Sequence, residues 1–198
     1  MKEKIIVKGT DLFLKLGFKS VTMDDIAAEM GISKKTIYKY FSNKEILIEE
    51  TVAATHEVID QSIAEILSQN HNPIKENFEI RKMFKTLFQA ADTSPLYQLK
   101  KHYPDIHAKM MCKETDDCNR FLKQNIEKGI EQGLYRADVN IELVTRFYYT
   151  LIFQINENTI SEREIQELEF AVLEYHTRAI ATEKGIAELE KNLTTPNQ

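Results

Sequence analysis

Between Gly31 and Lys44 the chain carries four lysines, Lys34, Lys35, Lys39 and Lys44, and no acid. Thr36, Tyr38 and Tyr40 are interleaved with them and add three hydroxyl donors. Ammonium and hydroxyl groups packed this closely suit phosphate oxygens and the O6 and N7 acceptors on the major-groove edge of guanine. On an isolated helix the same lysines would be no more than a solvated face, so their frame decides what they do.

The net charge of −5, taken whole, speaks against a polyanionic partner. Its distribution reverses that reading. Residues 51–198 hold 17 basic and 23 acidic side chains, so the acidity lies away from the lysine cluster. A small positive face on an acidic body fits a protein that touches phosphates at one end only.

Other chemistries find little support. Asp24-Asp25 and Asp116-Asp117 are paired carboxylates, read as capping or solvated pairs rather than a general acid and base. Cys112 and Cys118 would be separated by about 9 Å of helical rise on different faces, too far apart to bridge. They read as reduced thiols, with a redox sensor as the alternative. His56, His71, His102, His107 and His176 show no His-x3-His spacing and no Cys-x2-Cys partner, so no metal is expected. Without a nucleophile–base pair or a Gly-rich phosphate loop, neither an enzyme nor a cofactor is expected. No long apolar run spans a membrane and the N-terminus has no signal-peptide h-region, so the chain reads as cytoplasmic, with no membrane partner.

The elements that would position the lysines read as helices, in an all-α chain. A first helix over about Lys2–Leu16 turns Ile5, Gly9, Leu12, Phe13 and Leu16 to one face, and Gly17-Phe18 suits a left-handed C-cap with its apolar follower. Thr22-Met23-Asp24-Asp25 resembles a capping box and opens a short helix to Met30. Gly31 supplies the positive φ of a tight turn, Ser33 is an N-cap, and Lys34 to about Phe41 forms a third helix with Ile37 and Phe41 inside. Two short helices joined by such a turn form a unit that a major groove accepts. Thr22 and Lys44 would each stand at a helix start, where backbone amides and the dipole favour a phosphate.

Further on, a long helix is expected over about Lys44–Gln69 and others over about Ile74–Ala91, Pro95–Leu99, Asp105–Gln132, Ile141–Asn156 and Glu162–Lys184, with a frayed tail from Asn192. Phe78, Phe84, Phe88, Tyr97, Tyr103, Met110, Met111, Phe121 and Tyr148 gather on the middle helices. Singly each suits an ordinary core; together they suit a pocket for a small apolar ligand. The last two expected helices carry too many apolar residues for one stripe, among them Tyr149, Phe153, Leu168, Val172 and Tyr175. A subunit interface is the expected partner for these five.

The run Leu12-Phe13, Gly17-Phe18, Val21-Thr22-Met23-Asp24-Asp25-Ile26-Ala27 and Gly31-Ile32-Ser33-Lys34-Lys35-Thr36-Ile37-Tyr38-Lys39-Tyr40-Phe41-Ser42-Asn43-Lys44-Glu45 resembles the TetR-family DNA-binding domain, without a gap. The resemblance implies a homodimer that sets two recognition helices in successive major grooves of a palindrome. It also implies a C-terminal bundle of about six helices whose last two dimerise. By position it assigns Lys34 and Lys35 to base edges or nearby phosphates, and Thr36, Tyr38, Tyr40 and Lys44 to phosphates. Gly9 stands where the family usually has alanine, and Asp24 where some members carry a base-reading arginine.

The expected organisation is a helix-turn-helix domain over residues 1–47 (the motif about 24–43) and a ligand-sensing and dimerisation domain over residues 48–198. The expected DNA face is Thr22, Lys34, Lys35, Thr36, Tyr38, Lys39, Tyr40 and Lys44. The expected function is a homodimeric repressor released from a palindromic operator by a small, apolar ligand. The alternative keeps the DNA binding but makes the bundle a platform for another protein, with no small-molecule effector.

Overall fold

A computed structural model describes residues 1–194; for 112–118 it describes the course of the backbone alone, so the two cysteines and Asp116-Asp117 lie outside the described side chains. The described residues form ten helices, α1 (Lys2–Leu16), α2 (Met23–Glu29), α3 (Lys34–Tyr40), α4 (Lys44–Ser68), α5 (Pro73–Phe88), α6 (Pro95–His102), α7 (Pro104–Glu131), α8 (Ile141–Asn158), α9 (Glu162–Ile180) and α10 (Glu183–Thr194). Among them there is no strand, only two isolated β-bridges.

Local chemistry sets most helix starts. Ser33, Asn43, Asn72, Ser94, Asn140 and Ser161 each accept, through the side-chain oxygen, the backbone N–H of the third residue of the helix that follows. Each such cap is worth about 1 kcal/mol. Pro73, Pro95 and Pro104 occupy the first turns of α5, α6 and α7, where a missing N–H does no harm.

Two apolar clusters organise the packing. The first joins Ile5, Phe13, Ile26, Ile37, Phe41 and Leu47 to Leu99, Ile106 and Met110, so the three N-terminal helices share a core with α6 and α7. The second gathers Ile74, Leu122, Ile126, Leu134, Tyr135, Ile180 and Leu189 at the far end. Leu16, expected on the buried face of α1, is 60% exposed because the chain turns away at Gly17. That glycine has positive φ, 87°, but its ψ of 147° is not the left-handed cap expected.

The C-terminal third departs most from expectation. The helix expected to run from Glu162 to Lys184 stops at Ile180, and a separate helix, α10, follows over Glu183–Thr194, taking in the first residues of the tail expected to fray from Asn192. The cause is a backbone exchange with the segment after α7. Arg136 N–H donates to Ile180 O at 2.8 Å and Thr182 N–H to Leu134 O at 2.9 Å, which pins Ala181 out of helical geometry. Thr182 Oγ1 then accepts the Gly185 N–H at 3.1 Å and starts α10. Gly185 lies so close to Leu134 that an added Cβ would sit 2.1 Å from the Leu134 carbonyl oxygen.

Candidate functional site

The lysine-bearing segment folds as a helix pair on a fixed base. The Thr22 side chain accepts the Asp25 N–H at 3.1 Å, while the Thr22 N–H and hydroxyl donate to the Asp25 carboxylate at 2.8 and 2.7 Å. The reciprocal capping box is therefore complete, and these bonds hold the Asp25 carboxyl below the usual carboxylate range. The turn between α2 and α3 uses Gly31 at φ 63°, and Ile32 N–H donates back to Ala27 O at 3.0 Å. Ile37 and Phe41 are fully buried beneath α3, which fixes its roll.

That roll leaves Lys34, Lys35, Tyr38, Lys39 and Tyr40 on the outside, with Tyr38 42% and Tyr40 38% exposed. Lys35 and Lys39 enter no ion pair among the described residues and stand ready for an anion. The remaining members of the expected face are engaged within the protein. Thr22 is occupied by its cap, and the Thr36 hydroxyl lies 2.8 Å from that of Ser33. Lys34 Nζ lies 2.8 Å from Asp24 Oδ2, across from α3 to α2. Lys44, expected to reach a phosphate, is turned inward. Its ammonium donates to the Lys19 carbonyl at 3.2 Å and sits about 6 Å from the centres of the Phe13 and Tyr103 rings, and burial pushes its pKa down.

The loop between α1 and α2 is also tied to the later helices. Phe18 N–H donates to Gln98 Oε1 of α6 at 2.8 Å, and the Tyr103 hydroxyl donates to Phe18 O at 3.4 Å. Thus both α4 and α6 lead directly from the helix pair into the bundle.

Inside that bundle is a cavity of about 600 Å³. It is bounded by α1 and α4 on one side and by α5–α9 on the other. Of the residues expected in a pocket, Phe84, Phe88, Met110, Phe121 and Tyr148 line it. Phe78, Tyr97, Tyr103 and Met111 do not: Phe78 stands edge-on to Phe170, while Tyr103 and Met111 pack on the N-terminal core. Tyr149 and Phe153, expected at a subunit interface, also line the cavity. The apolar stripe that α8 turns outward is instead Leu143, Phe147 and Leu151, at i, i+4 and i+8, with Phe147 58% exposed. On α9 the expected Leu168 and Tyr175 are exposed and Val172 is half-buried.

One end of the cavity is charged, which the sequence did not suggest. Arg81 of α5 donates through Nη2 to Gln166 O at 2.9 Å and lies 4.4 Å from the Phe170 ring centre, while its buried Nε has no hydrogen-bond partner. Glu169 accepts from Asn156 Nδ2 at 2.6 Å, and burial raises its pKa. Burial also pushes Glu162, another lining residue, up to about 7, and pushes His176 of α9, which is not among the lining residues, down to about 4. These groups come from α5, α8 and α9, so no local spacing could have announced them.

Residues 5–51 match the family model described as bacterial regulatory proteins, tetR family. The biofilm operon icaADBC HTH-type negative transcriptional regulator IcaR of Staphylococcus aureus is 32% identical over 143 residues, covering 67% of this chain and 71% of that protein. The HTH-type transcriptional regulator YhgD of Bacillus subtilis is 25% identical over 163 residues, 77% of this chain and 82% of that one. Among solved structures, a transcriptional regulator from Cytophaga hutchinsonii superposes with a TM-score of 0.74 over 91% of this chain and 98% of its own, at 19% identity.

Proposed function

The chain belongs to the TetR family of bacterial transcriptional regulators, and on that premise we propose that it is a homodimeric repressor released from a palindromic operator by a small molecule. Residues 1–47 are its reading head and residues 48–198 its sensing and dimerisation body. The observation that carries the reading is the continuity of the exposed α3 face, through α4 and the Phe18–Gln98 bond, with a cavity of about 600 Å³. A ligand in that cavity touches the two helices on which the head is mounted. It weakens the grip on DNA if it favours a spacing of the two recognition helices other than the ~34 Å between successive grooves. The repressor sense is supported by the relative IcaR, whose name makes it a negative regulator.

The exposed face of α8 and α9 supports the dimer. Leu143, Phe147, Leu151, Leu168 and Tyr175 form a face of large apolar side chains that a second copy would cover. The ligand is a mainly apolar molecule, held by Phe84, Phe88 and Phe121, with a polar group meeting Arg81 and Glu169. An open cavity favours this over a pure protein-interaction platform, which a filled core would have suited. The head grips through Lys35, Lys39, Tyr38 and Tyr40, its task is binding rather than catalysis, and its place of work is the cytoplasm, on the chromosome.

Selection of bound duplexes from a random library by the purified protein tests the reading. A palindrome with half-sites about one helical turn apart is expected, and apolar compounds should then displace the protein from it. Binding without any enriched sequence would overturn the proposal.

A further inference from the structure

Lys34 is the first residue of the recognition helix, and its side chain, though 62% exposed, folds back across the surface to α2. Its ammonium lies 2.8 Å from the Asp24 carboxylate and 5.8 Å from the centre of the Tyr38 ring. Asp24 is the second residue of α2 and its side chain is 58% exposed on the same side of the helix pair. With Lys44 turned inward, one of the remaining α3 lysines is thus neutralised and two, Lys35 and Lys39, are unopposed.

We propose that Asp24 is a specificity-determining residue: it holds the Lys34 ammonium away from phosphates and shares it only with acceptors that a base edge places beside the pair. The inference rests on the reading of α2–α3 as the DNA face and goes beyond it. Grip on DNA of any sequence scales with the number of phosphates neutralised, each steepening the salt dependence. An internal carboxylate removes one cation per protomer from that count, and its own charge repels the backbone. Guanine offers O6 and N7 side by side, two acceptors to one ammonium. A phosphate carries no more charge than the carboxylate already held at 2.8 Å and displaces it poorly, whereas the three donors of the ammonium let it reach a guanine edge without giving the carboxylate up. Asp24 therefore costs the protein more affinity on random DNA than on its operator, and the difference is specificity.

The pair also explains why an acid is tolerated at the mouth of a DNA-binding surface. Without Lys34 beside it, Asp24 would be an uncompensated repulsion on both sequence classes. With it, the charge is internal until the right base edge arrives.

The test is a double-mutant cycle on Asp24→Asn and Lys34→Met, measured as affinity for a random-sequence duplex against salt concentration. Asp24→Asn keeps the shape and the polar contact but removes the charge. It should bind random DNA several-fold tighter, with a salt slope steeper by about 0.9 for each protomer. Lys34→Met should weaken random-DNA binding in the parent, where it leaves Asp24 unopposed, and cut the gain of Asp24→Asn in the double variant to the part due to removing that repulsion. On an operator obtained by selection, the gain from Asp24→Asn should be smaller than on random DNA. Unchanged or weaker random-DNA binding by Asp24→Asn, a gain that survives Lys34→Met undiminished, or an equal gain on operator would each overturn the inference. Lys35→Ala combined with Lys39→Ala separates the two levels. If it weakens binding while Asp24→Asn is silent, only the role of Asp24 fails; if it too is silent, the DNA face itself is misplaced. Melting curves of each variant confirm that it folds.

Discussion

Two lysines of the same short helix face different fates: Lys35 is left to solvent, while Lys34 is held by a carboxylate from the neighbouring helix. The proposed DNA face is therefore narrower than a count of basic residues suggests. Removing Lys35 and Lys39 together should weaken binding and flatten the salt slope by about 0.9 for each lost phosphate contact. Filter binding or fluorescence anisotropy across salt concentrations reads both quantities. Lys44→Ala should act differently. Its ammonium closes the Lys19 carbonyl and lies by two rings, so its loss should lower stability by about 1 kcal/mol, visible as a lower denaturation midpoint.

The charged end of the cavity makes a residue-scale prediction about pH. Glu162, first residue of α9, has its carboxyl pushed up to about 7 by burial, so the folded state holds a proton that the unfolded chain releases lower on the scale. Its neutral form is the one the fold prefers. The stability linked to it is present below the ordinary carboxylate range and is lost as pH rises toward and through 7. His176 runs the other way: pushed down to about 4, it is neutral when folded, and stability linked to it is lost as pH falls from the ordinary histidine range toward 4. Glu162→Gln should melt at a higher temperature than the parent at about pH 8 and at nearly the same temperature at about pH 4. A parallel pair of melting curves at every pH would contradict this.

At the scale of the element, the α7–α8 connection is built around two glycines whose missing side chains make room. An added Cβ on Gly129 would lie 2.0 Å from the Tyr135 ring, which is itself 2% exposed and rigidly enclosed. Gly129→Ala should thus destabilise the fold by about 1–3 kcal/mol, the range for forced overpacking, measurable by urea denaturation. Gln98→Ala should do something more specific. It leaves the buried Phe18 N–H unpaired and removes one of the polar ties between α6 and the N-terminal helices. The expected outcome is a looser coupling, with ligand binding retained but less able to displace DNA.

The elements also show what was legible in the chain and what was not. The helix pair was plain because its signals are local: a Thr22–Asp25 box, Gly31 at positive φ, and Ser33 as a cap, all within a dozen residues. The starts of α5 and α6 were plain for the same reason. The end of α9 was not, because it depends on carbonyls and amides of residues 134–136, brought there only by tertiary packing. The same holds for the cavity. Aromatics on α5 and α7 suggested it, but its charged end assembles Arg81, Asn156 and Glu169 from three helices. Periodicity showed that α8 was apolar on more than one side, without saying which side faced inward. Packing settles that: Tyr149 and Phe153 turn to the cavity, and Phe147 turns out.

At the scale of the whole molecule, the acidic body and the small basic tip work together. An acidic body is repelled from DNA, which leaves the tip to make contact, and in the proposed dimer two tips must be held at a fixed separation to reach successive grooves. The outward stripe of α8 is the natural place for that constraint. Phe147→Glu combined with Leu151→Glu should shift the protein to monomers in sedimentation equilibrium. Affinity for a full palindrome should fall much further than affinity for a half-site, since the second contact is no longer linked to the first. A dimer unmoved by both substitutions would place the interface elsewhere.

The central claim is that the exposed face of α3 lies in the major groove, twice, on one side of the duplex. Methylation interference at guanine N7, on a duplex selected by the protein, tests it most directly. Two interfering clusters centred about one helical turn apart are expected for the parent, and their loss in the Lys35→Ala, Lys39→Ala variant at equal protein concentration. Interference at a single cluster, or a pattern and strength unchanged by that variant, would contradict the account.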